Sequence, residues 1–227
     1  MKPLSLLILF AVLAGCGGFR GGIQSVPYVG EPPTQGQPAH PTWPHTLVLP
    51  GVTVELSFNN ALRTYQYEVM LFVIPTYLNF WDEFRNREAE ALELTLQLEA
   101  RDAAMVVDLR QLVLMVDGQE VRPNGVWVNN PERERRVIED FVKARREAPK
   151  NQPPETPRAA EWRDTITDPL PIASGERSPR FIVIFPLPLL SPEKDILLNM
   201  GPAIVEPRNL ELPLIRFRST PWSDAYS

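Results

Sequence analysis

The groups that could do chemistry in this chain are few. His40 and His45 are its only histidines and Cys16 its only cysteine. A serine or cysteine nucleophile needs an imidazole beside it, and a catalytic zinc needs several ligands from His, Cys, Asp or Glu. Both histidines sit among Pro38, Pro41, Pro44 and Pro50, outside any periodic segment, so the folded body is expected to hold no imidazole. That expectation removes imidazole-assisted hydrolysis and His-ligated metal sites; no catalytic residue, no metal and no cofactor is assigned. The sequence also lacks a glycine-rich phosphate loop and a dinucleotide fingerprint. Asp82-Glu83 and Glu139-Asp140 are paired acids of the kind glycoside hydrolysis uses, but acids adjacent in sequence are ordinarily a solvated face. Lys143, Lys150 and Lys194 could each serve a Ser-Lys pair, with no motif to support one.

Tyr77, Phe80, Trp81 and Phe84 fall within ten residues, 75–84, between two expected strands. Aromatic side chains dominate interface hot spots, which makes these four the candidate partner-binding residues. They could equally form a stacking platform for a glycan or small ligand, or fold back as a satellite cluster over the core.

The first residues have a different character. Lys2 supplies a positive start, Leu4 to Leu13 is a nearly unbroken apolar run, and Ala14 and Gly15 precede Cys16. That layout is a secretory signal, too short for a permanent transmembrane helix. Leu13-Ala14-Gly15-Cys16 resembles the lipobox of bacterial lipoproteins. The resemblance covers only the leader, and it implies cleavage before Cys16, a diacylglyceryl group on its thiol and an acyl group on its amine. One acyl chain binds a membrane marginally; two or more anchor it stably, at about 0.8 kcal/mol per buried methylene. Gly17 stands where an Asp would imply inner-membrane retention, so the resemblance favours the outer membrane with the domain in the periplasm.

Without residues 1–15 the chain keeps all 28 acids and loses only Lys2 from its 23 bases. An acidic balance argues against nucleic acid as a partner. The expected partners are therefore membrane lipid, through Cys16, and another envelope protein. With Cys16 lipidated no disulfide is possible, and the body must rest on its apolar core.

The elements that would position these groups read as β-structure. Residues 16–50, rich in Pro and Gly, are expected to be a tether, extending about 3.1 Å per residue where it is polyproline-like; the alternative is that Tyr28 and Trp43 dock part of it on the body. Residues 51–218 are expected to form one domain. Val52, Val54, Leu56 and Phe58 alternate with polar residues, as do Leu92, Leu94, Leu96 and Leu98. A further strand is expected over Gln66–Ile74. Asp117-Gly118 signals a type I′ hairpin turn, and Asn124-Gly125 repeats the signal. Asn130-Pro131-Glu132 reads as a capped helix start, with Val137, Ile138, Phe141 and Val142 on one stripe that could dock on the body; the charged helix is otherwise a solvated surface element or a docking surface. Phe181–Phe185 is apolar throughout, as in a strand covered on both faces. Leu210 to Phe217 is expected to be a strand bulged near Pro213. The fold class that follows is mainly β, an antiparallel immunoglobulin-like β-sandwich with one inserted charged helix. The insertion spans 129–178, and 219–227 is expected to be a C-terminal tail. The functional expectation is a non-enzymatic, membrane-anchored protein-binding module; the alternatives are a ligand- or glycan-binding lipoprotein and a carboxylate-only hydrolase.

Overall fold

The structure is a computed structural model that describes residues 18–32, 44–70, 91–148, 154, 157, 161–208 and 210–226. The described strands are β1 (Gly18–Tyr28), β2 (His45–Leu49), β3 (Val52–Phe58), β4 (Thr64–Met70), β5 (Leu92–Ala100), β6 (Met105–Val107), β7 (Val113–Val116), β8 (Gln119–Val121) and β9 (Gly125–Asn129). After the helix α1 (Pro131–Glu147) come β10 (Arg163–Thr165), β11 (Leu170–Ile172), β12 (Phe181–Phe185), β13 (Ile196–Asn199), β14 (Ile204–Glu206) and β15 (Ile215–Tyr226). They form two six-stranded sheets, ordered β4-β1-β15-β13-β7-β8 and β10-β9-β12-β5-β3-β2, and a three-stranded sheet β11-β6-β14. The pairing is antiparallel throughout. The protein is thus mainly antiparallel β, with one α-helix among the described residues, and is consistent with a β-sandwich.

Alternation makes the core. In β5, Leu92, Leu94, Leu96 and Leu98 are fully buried while Glu93, Thr95, Gln97 and Glu99 look outward. In β3, Val54 and Leu56 lie opposite Leu98 and Leu96. Period-two alternation puts every apolar residue on one face of a strand, which a helix could not do. The first sheet contributes Leu114, Ile196, Leu198, Ile215 and Phe217 to the same cluster. Phe58 and Phe217, ring centroids 4.7 Å apart, join the two sheets. All five residues of β12 are buried, because β5 and β9 flank it and both of its faces are covered.

Turn chemistry explains one hairpin and not the other. Asp117 and Gly118 have φ of 49° and 81°, the left-handed pair that a type I′ turn requires between β7 and β8. Asn124-Gly125 adopts no such pair: the Asn124 amide donates to the Ile184 carbonyl at 2.9 Å, and Gly125 simply opens β9.

Three expectations need correction. Residues 16–50 are not simply a tether: β1 pairs with β15 along its whole length, from Gly18 opposite Tyr226 to Tyr28 opposite Arg216, and with β4 from Gly18 opposite Met70 to Ile23 opposite Thr64. His45 to Leu49 is β2, paired with β3. The glycines and Pro27 hid β1, since its strand character comes from two long-range neighbours and not from alternation. For the same reason 219–227 is not a free tail; β15 runs on through Tyr226. The bulged strand over Leu210–Phe217 is also absent, since residues 211–214 carry no strand and β15 begins at Ile215.

β9 and β12 are hydrogen-bonded neighbours, and α1, β10 and β11 lie between them in sequence. The return from α1 is built into the body: β10 pairs with β9 at the edge of the second sheet, and β11 pairs with β6 in the third. Arg163 of β10 reaches across to Glu93 of β5 with two hydrogen bonds, at 3.0 and 3.3 Å.

Candidate functional site

Among the described residues, α1 is a helix with no buried residue. Its start is held firmly. The Asn130 side chain accepts from the Arg133 amide at 3.1 Å and donates to Asp164 of β10 at 3.1 Å. The Arg133 guanidinium pairs with the same Asp164 at 2.9 Å. The Asn130 amide donates to the Trp162 carbonyl at 2.8 Å. Pro131 stands at the first helical turn, where its missing N–H costs nothing. Glu132 and Glu134 lie in the first turn and Arg145 and Arg146 in the last, each sign matched to the helix dipole.

The stripe that could dock this helix is only partly covered. Val137 and Phe141 are only half-buried, and Ile138 and Val142 are 47% and 40% exposed; no residue of α1 is buried. Apolar spacing placed these side chains on one face but could not say whether the body would cover it. Ile138 and Val142 instead line a shallow groove with Glu139, Lys143, Arg146 and Glu147. An apolar strip bordered by both signs of charge is the chemistry of a helix that packs into, or receives, another apolar surface.

The remaining candidates are distributed elsewhere. Cys16 and the aromatic set Tyr77, Phe80, Trp81 and Phe84 lie outside the described residues, as do His40, Lys150 and the Asp82-Glu83 pair. Glu139 and Asp140 are both exposed on α1, and Glu139 lines the groove beside Lys143 and Arg146. Lys143 lines the groove, and Lys194 holds Asp117 at 2.6 Å beside the β7–β8 turn. That contact, with its hydrogen bond as the largest cause, keeps the Asp117 carboxyl below the usual range. Among the described residues no cluster of three or more His, Cys, Asp or Glu could hold a metal ion, and no helix is long and apolar enough to cross a membrane.

His45 was expected to lie in a linker and belongs instead to β2, opposite Leu56. Burial, and then the nearby Arg63 cation, lower its pKa from 6.5. The unfolded chain takes up a proton near the ordinary value while the folded chain stays neutral, so the unfolded state binds more protons in the interval below it. Stability is therefore full above the unfolded pKa and is lost as pH falls toward the folded one. We expect the melting temperature to drop between about pH 7.5 and about pH 5.5, and to drop less in His45→Leu. Thermal scans across that range decide it; equal slopes in the two proteins would remove His45 as the cause.

Buried polar groups without a hydrogen-bond partner concentrate on β1 and β3: both carboxamide heteroatoms of Gln24 and the hydroxyls of Ser25 and Ser57. Each such group costs on the order of 1–3 kcal/mol. Comparison of the chain with protein-family models, with curated proteins and with solved structures gave no match, so the arrangement of its own residues carries the functional argument.

Proposed function

We propose that the protein is a lipid-anchored envelope lipoprotein, facing the periplasm from the outer membrane, that binds another protein and is not an enzyme. The observation that carries the binding reading is the exposed apolar strip of α1. A seventeen-residue helix is rooted by Asn130, Arg133 and Asp164, yet presents Ile138 and Val142 outward. Exposing them forgoes the roughly 1.5–3 kcal/mol that each would contribute if buried, and a partner that covers them recovers it. The lipid anchor rests on the lipobox resemblance at Leu13–Cys16. The aromatic residues 77–84 remain a second candidate surface on sequence grounds. We read the fold as an immunoglobulin-like sandwich, a reading that two six-stranded antiparallel sheets around one apolar core support.

A photo-crosslinking amino acid at Ile138, in cells expressing the full chain, tests the reading. The expected result is one discrete higher-mass adduct that disappears when Val142→Glu is added. The same crosslinker at Thr46, an exposed residue of β2, serves as control. No adduct from Ile138, or the same adducts from both positions, would overturn α1 as the binding element.

A further inference from the structure

The register of β1 fixes where the membrane must lie. Gly18 is opposite Tyr226 on one side and opposite Met70 on the other, so these three residues lie level with one another across the ribbon. Cys16 precedes Gly18 by two residues, and two residues span at most about 7 Å. The other end of this ribbon enters the body, where Phe217 pairs with Ile196 of β13 and packs on Phe58. From Phe217 to Tyr226 is nine residues, roughly 30 Å at about 3.4 Å per residue.

We infer that the level end of the β4-β1-β15 ribbon, defined by Gly18, Met70 and Tyr226, is a membrane-apposed surface whose partner is the lipid bilayer. The inference rests on lipidation of Cys16. With acyl chains on that residue, no slack separates bilayer from sheet: the ribbon at Gly18 sits within the headgroup region, and the ribbon fixes the height of the body above it. A flexible tether would let the body sample many heights; a three-stranded antiparallel ribbon holds one. α1 is the complementary landmark. β9 runs from Gly125, opposite Ile184, to Val128, opposite Phe181, and Phe181 is opposite Leu96 of β5. That direction leads away from the Phe58 end of β3, which is continuous with the ribbon through residues 59–63. α1 therefore starts from the side of the body turned from the bilayer, where a protein partner can reach it.

The chemistry of Cys16 makes the test clean, because a lipidated thiol is a thioether and any introduced cysteine becomes the one reactive thiol. The full-length lipoprotein, purified and placed in vesicles containing headgroup-nitroxide lipid, is labelled with a fluorophore at Ala225→Cys or at Glu147→Cys. We expect quenching at Ala225 at least fivefold stronger than at Glu147. A third protein carries twenty Gly/Ser residues between Cys16 and Gly18, leaving the fold untouched; there the Ala225 quenching should fall to the Glu147 level. Equal quenching at both positions, or no effect of the insertion, overturns the apposed ribbon while lipidation stands. Should Ala225→Cys fail to fold, Ser223→Cys reports on the same end. Maleimide labelling of Cys16 in the parent protein would overturn the anchor, and the inference with it, by a separate readout.

Discussion

Replacing Leu96 with alanine is expected to destabilise the domain by about 2–5 kcal/mol. Leu96 is fully buried in β5 and is opposite Leu56 on one side and Phe181 on the other, both themselves buried. Strands flank it on both sides, so the surrounding backbone cannot collapse into the void without breaking two ladders. The lost transfer free energy and the uncollapsed cavity therefore add. Thr95→Ala, one residue away on the outward face, should change stability by no more than about 0.5 kcal/mol. Chemical denaturation of both variants decides the matter. A loss below about 1 kcal/mol for Leu96→Ala would mean that the two sheets can close on each other, and that the core is looser than its burial indicates.

Cys16→Ser is expected to have the largest effect on behaviour in the cell. It removes the one thiol of the chain, and with it every acyl group that the lipobox reading places there. Metabolic labelling with a fatty-acid probe should fall to background, the unprocessed precursor should accumulate, and any protein released should fractionate away from the membrane. Two or more acyl chains give stable anchoring, so their loss is close to all-or-none and not a shift in partition. Unchanged labelling would overturn the anchor. Since α1 is rooted in β10 and not in the ribbon, the Ile138 crosslink should still form with any partner brought to it in solution.

What could be read from the chain was whatever the local sequence decides. The leucines of β5, the Asp117-Gly118 turn and the Asn130-Pro131 helix start depend on neighbours a few residues away, and all three are where their spacing put them. β1 depends on residues about two hundred positions along the chain. Its glycines and Pro27 carry no alternation, so nothing within Gly18–Tyr28 announces a strand. The second half of β15, with Pro221 among polar residues, is silent for the same reason. The stripe on α1 was legible as a stripe; whether the body covers it is a tertiary fact that periodicity does not contain. Cys16 and the aromatic residues 77–84 were legible only as chemistry, and lie outside the described residues.

The pairing of β1 with β15 also sets an order of events during biogenesis. On the proposed export, β1, which begins two residues after Cys16, would be the first described strand to arrive on the far side of the membrane. One of its neighbours, β4, is available once Met70 has emerged, but the other is β15, which completes only when Tyr226 is through. Until then β1 presents an open edge, the arrangement that templates pairing with other chains. Closing a contact across nearly the whole chain is entropically slow. On the export and anchoring proposed above, the nascent protein would be most exposed to misassembly until β15 is through, and a ribosome that stops before β15 would leave that edge unpaired.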